Sequence, residues 1–405
     1  MDKQALDGLK VVEFAAYAAG PVTGKYLADF GATVIHLESG SRPDGFRLQY
    51  PPFAKNKPGV NRSGTFAVCN NNKYGITIDL KAPGGVELAK RVVAWADVVI
   101  ENFTPGTMDR LGLGYKELSR VNNRLIMLST CNQGQDGPHA SHPGFGSQLT
   151  SLSGFTFLTG FPDGPLSLLF GPYIDFIGVG YGVIAVMAAL DHRRRTGEGQ
   201  YIDLAQYENG VQFLAQVVLD YNVNGRALSR MGNRCDFAAP HGVYPCQGED
   251  RWCALSVFDD DEWLELQQIM GNPAWAADPG FGTLIGRKQH EGELDERLSQ
   301  WTVQFAPEEL MQTLQNGGIR AGILNRVRDV YTDPQYEHRR IWRGMEHPEM
   351  GVFHYQAPPF ELESTPAVLD RPSPCLGEHN EYFFCQILQL EEEEYRKLVE
   401  TRVIA

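Results

Sequence analysis

Asp175 stands alone between apolar neighbours in Gly171-Pro172-Tyr173-Ile174-Asp175-Phe176, just ahead of a segment rich in small residues. A carboxylate there either caps a helix N-terminus or reacts, and both can hold, because a helix N-terminus stabilises and orients an anion. The run Glu101-Asn102-Phe103-Thr104-Pro105-Gly106, with Arg110 further on, reads as the ligand edge of a parallel sheet or as a β–α turn with ordinary caps. Glu38, closing the second apolar strand, is placed to hold a ribose. The loop before it carries only Gly20 and Gly24 and is interrupted by Pro21, so it is not the GxGxxG of a nicotinamide site. The sequence contains no Walker lysine loop, no GxSxG elbow and no HExxH, and its ten histidines are dispersed. Metal chemistry is not indicated. The seven cysteines are scattered without a CxxC pair and read as reduced structural thiols.

The elements that must position these residues follow a β–α rhythm. Leu9 to Phe14 reads as a strand, the loop Ala15 to Pro21 follows, and Val22 to Phe30 reads as a helix with Gly31 at its end. Pro21 suits the first helical turn. Further strands are expected at 32–38, 74–80, 97–101 and 125–129, with a helix at 84–96. Such alternation predicts a parallel sheet with right-handed crossovers. A glycine-punctuated loop region spans 133–171, and an apolar helix is expected at 177–193. Beyond Gly232 the texture changes. A hairpin at 244–257 and helices at 260–270, 294–305 and 307–316 suggest a smaller α+β domain. Apolar strands flank Gly351, and Glu391 to Glu394 read as the first turn of a terminal helix.

Composition narrows the class. With 43 glycines, the chain is richer in glycine than the usual ~7%, as tight turns or close backbone approaches to a ligand require. The net charge of −14 argues against nucleic acid as partner. No run approaches the ~18–20 uninterrupted apolar residues of a membrane span, and the N-terminus lacks a signal pattern. A cytoplasmic protein is expected, without a membrane or nucleic-acid partner.

In their order along the chain, these segments resemble the class III coenzyme A transferases, the family of formyl-CoA and carnitine CoA-transferases. The resemblance runs nearly end to end. It rests on Leu6 to Phe14, Ala19-Gly20-Pro21, Leu27 to Ala32, Asn72-Lys73, Asp79-Leu80-Lys81 and Glu101-Asn102-Phe103. It continues through Pro105-Gly106, Arg110 to Tyr115, Gly134 to Pro138, the Asp175 segment, Thr196 to Leu204, Asp333-Pro334 and Leu376 to Asn380. It implies exchange of CoA between an acyl-CoA and a free carboxylic acid, with Asp175 as nucleophile and CoA as substrate rather than a bound cofactor. It also implies that Ala19, Lys73, Asn102, Phe103 and Arg110 line the CoA site, and that Gly232 lies in a lid over Asp175. The implied fold is α/β. A Rossmann-like large domain is built from both chain ends (1–225 and 330–405), a smaller α+β domain covers 226–329, and two chains interlock as a homodimer.

Departures from the family pattern refine this. Ala18 replaces the glutamine before the Ala-Gly-Pro turn, Met231-Gly232-Asn233-Arg234 replaces a tetraglycine lid, and Ser39 stands where an arginine follows the second-strand glutamate. Arg42 is then expected to take the phosphate role, and formate or oxalate becomes a poor substrate in favour of a larger acid. The related 2-methylacyl-CoA racemases carry a Gly-His-Asp where this chain has Gly144-Phe145-Gly146, so the acid–base histidine is missing, and His139 and His142 are out of register. Phe145 is counted among the substrate-binding residues instead. A non-catalytic CoA-binding subunit of a heteromeric transferase would lack the nucleophile, which Asp175 supplies.

Overall fold

The computed structural model describes residues 4–405. Six strands, β1 (Lys10–Phe14), β2 (Thr33–Glu38), β3 (Tyr74–Thr77), β4 (Val98–Glu101), β5 (Ile126–Cys131) and β6 (Gln200–Ala205), form one sheet in the order β3-β2-β1-β4-β5-β6. Every pairing in it is parallel. Parallel strands are covered on both faces and must be apolar on both. Val11, Val12, Val34, Ile35, Val98, Val99 and Ile100 are accordingly all fully buried. The strand order reverses between β1 and β4. At such a point the following loops diverge and leave a crevice at the C-terminal strand ends.

Helix α1 (Ala19–Asp29) begins three residues before the expected start, which places Pro21 in its first turn. Helix α2 (Gly85–Trp95) buries Leu88, Ala89, Val92 and Val93 in the core on one face of the sheet. Helix α3 (Gly146–Leu152) and helix α4 (Tyr173–Thr196) bracket the glycine-rich loops. Gly182 of α4 lies so close to Thr23 of α1 and Leu128 of β5 that an added Cβ would come within 3.2 and 3.5 Å of them. By length and composition α4 alone is apolar enough to cross a bilayer among the described helices, although Asp175 and Asp191 bound its uncharged run. One of its faces is instead spent on Ile174, Val179, Gly182, Val186 and Ala189, which are buried.

The chain divides into two compact units. The larger holds the chain to Thr156, Leu168–Arg226 and Gln335–Ala405; the smaller holds Phe157–Ser167 and Ala227–Pro334. The segment Phe157–Ser167, read from sequence with the large domain, goes with the smaller unit. Both chain ends build the larger unit. Asn380 accepts from the Thr77 N–H at 2.8 Å through its side chain, and Asp79 N–H donates to the Val403 carbonyl at 2.8 Å, so the C-terminal segment covers the free edge of β3. The smaller unit contains an antiparallel sheet of β7 (His241–Pro245), β8 (Trp252–Ser256) and β9 (Arg320–Ile323). Its core is its own, with Tyr244, Trp263, Leu266, Leu294 and Leu310 buried together.

Candidate active site

At the strand-order reversal one side chain ties together the loops that follow β1 and β4. Asn102, directly after β4, accepts the Ala16 N–H through its Oδ1 at 2.9 Å and donates its Nδ2 to the Ala16 carbonyl at 2.7 Å. One amide thus satisfies both backbone groups of a residue in the loop after β1. Glu101, the last residue of β4, takes the Phe103 N–H at 2.8 Å and so shapes the same turn. Burial pushes the Glu101 carboxyl up to about 7, against the pull of Ser129 and the Phe103 N–H. Glu101 also lines a cavity of about 410 Å³ together with Thr107, Tyr115, Ser129, Gln135 and Tyr201.

Behind the loop lies a buried charge cluster. Arg47 is fully buried and grips both oxygens of Glu38, at 2.9 and 3.0 Å from Nε and 2.7 Å from Nη2. Burial alone would raise Glu38, but Arg47 and the surrounding donors hold it below its ordinary value. Glu38 therefore stabilises its own domain rather than meeting a ribose. Asp44, whose N–H donates to Glu38 at 2.9 Å, receives the Tyr17 N–H with both oxygens at 3.0 and 3.1 Å. Tyr17 sits at φ 64°, a left-handed backbone that bulky residues rarely adopt.

Asp175 lies in the first turn of α4, its N–H donating to the Pro172 carbonyl at 3.0 Å. It is half-buried, and among the described residues its carboxylate takes no hydrogen bond or ion pair. Its neighbours Ile174, Leu149 and Phe155 form an apolar cluster with Tyr173 and Tyr207 packed against it. Desolvation alone pushes its carboxyl up to about 7. The start of α3 passes directly over it. A Cβ on Gly146 would lie 2.7 Å from the Asp175 Cγ and Oδ1, so only glycine lets the backbone come this close. One turn along α4, beside Gly178, the side-chain amide of Asn209 is buried and its Nδ2 has no partner. A desolvated carboxylate under a bare backbone segment is equipped for nucleophilic attack on an acyl group.

The structure brings together some of the expected site residues. Phe145, exposed, directly precedes Gly146 and meets the Tyr17 ring edge-on at 5.9 Å. Arg42 is exposed and near enough to Tyr17 for its charge to act on the phenol. Arg110 is also exposed, its Nη2 donating to the Thr107 hydroxyl at 2.8 Å. Phe103 is half-buried against the main core, and Ala19 is buried as the first residue of α1.

Lys73 departs from expectation. It is fully buried, and its Nζ donates to Glu13 at 2.8 Å, to Asn70 at 2.9 Å and to the Pro21 carbonyl at 2.6 Å. All three of its protons are committed, so it holds the β1–α1 unit from inside and offers no charge to a ligand. Gly232 belongs to the smaller unit, at φ 63° and against the Phe161 ring, with Gly160 accepting its N–H at 2.9 Å. Its neighbours Met231, Asn233 and Arg234 line a cavity of about 640 Å³ within that unit. Tyr17, Asp44, Gly146 and Asn209 carried no sequence signal. Their importance arises from packing between segments far apart in the chain.

A parallel sheet in the order β3-β2-β1-β4-β5-β6 with a lone desolvated carboxylate at a helix start defines an α/β chain whose activity is set by its relatives. The profile of CoA-transferase family III matches residues 6–380. The chain is 34% identical over 399 residues to the succinyl-CoA–D-citramalate CoA-transferase of Chloroflexus aurantiacus, covering 98% of each. It is also 34% identical over 391 residues to the succinate–glutarate CoA-transferase of Agrobacterium fabrum, covering 96% of this chain and 97% of the relative. A CaiB/BaiF family protein from Brucella suis superposes with a TM-score of 0.87 at 33% identity, over 95% of this chain and all of that one. The chain belongs to CoA-transferase family III, and its activity is that of a CoA-transferase.

Proposed function

We propose that the protein transfers CoA between a succinyl-type acyl-CoA and a second small dicarboxylic acid through covalent intermediates on Asp175. The dicarboxylate class is suggested by the names of the relatives, which act on succinate, citramalate and glutarate. The observation that carries the mechanism is the Asp175 carboxylate, desolvated and unpartnered beneath Gly146.

In the first step a carboxylate oxygen of Asp175 attacks the thioester carbonyl, and the CoA thiolate leaves, giving a mixed anhydride. The thiolate then attacks the aspartyl carbonyl, releasing the first acid as its carboxylate and leaving CoA as a thioester on Asp175. The incoming carboxylate repeats the sequence in reverse order. No acyl group is lost to water while the anhydride stays in an apolar pocket. CoA enters as substrate. Arg42 and Arg110, both exposed, are available to its phosphates, while Asn102 fixes the loop against which it lies. Gly232 is assigned to a covering loop by resemblance.

Two further readings accompany this one. The functional form is a homodimer, which is supported by the exposed apolar surface of the larger unit. Residence in a reducing compartment such as the cytoplasm is supported by seven free cysteines.

The test is to incubate the protein with succinyl-CoA, quench with hydroxylamine or borohydride, and locate the modified residue by mass spectrometry. Modification at Asp175 and loss of transfer in Asp175→Ala are expected. Transfer that survives in Asp175→Ala defeats the mechanism. Proton exchange at the α-carbon of a 2-methylacyl-CoA without transfer would establish a racemase.

A further inference from the structure

Three separate features hold the Tyr17 ring in place. Asp44 receives the strained Tyr17 N–H with both oxygens, and Asn102 clamps both backbone groups of Ala16. Gly45 clears space for the ring: a Cβ there would lie 2.4–2.5 Å from the Tyr17 Cε1, Cζ and hydroxyl. A bulky residue held at positive φ is strained, and such strain persists where surrounding structure over-determines it, most often at functional sites. The ring is set edge-on against Phe46 at 5.4 Å and Tyr50 at 6.2 Å. It meets Phe145 at 5.9 Å, and the next residue, Gly146, passes so near the Asp175 carboxylate that a Cβ would not fit between them. An aromatic wall therefore runs from the strained loop to the nucleophile.

We infer that Tyr17 is a specificity-determining residue, its ring forming with Phe145 the wall along which the methylene chain of the acid lies as its carboxylate meets Asp175. The inference rests on the proposed transfer through Asp175. An aromatic face rewards each methylene laid on it and gives nothing to an acid too short to reach it. Tyr17 thus favours four- and five-carbon acids over acetate. The phenol, which donates to Gln49 at 3.4 Å, lies at the outer end of the wall.

In a double-displacement reaction, kcat/KM for the acid reports only its reaction with the aspartyl-CoA form, so acids can be compared directly. The experiment measures kcat/KM for glutarate, succinate and acetate in the wild type, Tyr17→Gly and Tyr17→Phe, with mass detection of the Asp175 adduct. Glycine suits the positive φ, so Tyr17→Gly removes the ring without adding backbone strain. The glutarate-to-acetate ratio is expected to fall at least tenfold in Tyr17→Gly and to stay near the wild-type value in Tyr17→Phe. Adduct formation with an unchanged ratio overturns the role of Tyr17 and leaves the transferase mechanism standing. A wild type that transfers CoA without an Asp175 adduct overturns the mechanism itself, and this inference with it.

Discussion

The Asp175 carboxyl gains reactivity and loses stability from the same cause. Its surroundings exclude water without offering a donor, so it ionises only near pH 7. The attacking species is the carboxylate; the first chemical step is therefore expected to gain rate as pH rises through about 7, which rapid-quench measurement of adduct formation between pH 5.5 and 8.5 would read. The sign for folding is opposite. Between about pH 4 and 7 the unfolded chain has released this proton and the folded chain has kept it, so stability from this group falls as pH rises through that window. Asp175→Asn should abolish adduct formation and raise the melting temperature by about 2–4 °C at pH 8, with the difference vanishing near pH 4. A variant less stable than wild type at pH 8 would show that the carboxylate is held by contacts rather than strained by their absence. Asp175 drew attention in the sequence as a lone acid among apolar neighbours, which left a cap and a reactive group both open; its proposed role came from the family resemblance. Tyr17 drew none, since its backbone angle and its contacts with Asp44, Gly45 and Phe145 are set by the folded chain.

At the scale of elements, the β1–α1 unit is held by two agents of different kind. Asn102 fixes the loop from the crevice side, and Lys73 fixes the start of α1 from within. The family resemblance places both beside the ligand, because a motif match says nothing about whether a long side chain turns into the core. The parallel sheet itself was readable from its apolar runs. The exception is β6, where Gln200 and Asp203 interrupt the run and exposed positions alternate with half-buried ones, as befits an edge strand. The burial of Lys73 separates its role from that of Arg110. Lys73→Met takes the ammonium partner from the buried Glu13 carboxyl, and breaking a buried pair in this way costs about 3–5 kcal/mol. Lower urea midpoints are expected, with KM for the acyl-CoA unchanged in the folded fraction. Arg110→Ala should do the reverse, raising KM for acyl-CoA several-fold at unaltered stability. If Lys73→Met raised KM without moving the midpoint, the buried pair would not be holding the unit.

The whole molecule leaves apolar surface that the larger unit does not cover. On α4 the residues opposite the buried face, Phe176, Tyr181, Ile184 and Met187, are exposed. The helix Ala215–Asn224 buries none of its residues, although Val218, Leu219, Tyr221 and Val223 all belong to it. A short helix gains most of its stability from burying a face, so one that buries nothing within its own chain is incomplete. Neither feature was visible from composition, which averages the covered and uncovered sides of each helix. The proposed second copy of the chain would cover both faces at once. Replacing Leu219 and Val223 together with glutamate places two charges on that surface, where desolvating them would oppose association. The double variant is expected to sediment at half the wild-type mass, 45.1 kDa against twice that, and to be less stable than the wild type at equal concentration. A wild type that sediments as a monomer at micromolar concentration would overturn the dimer. A double variant that stays dimeric would move the interface away from this helix.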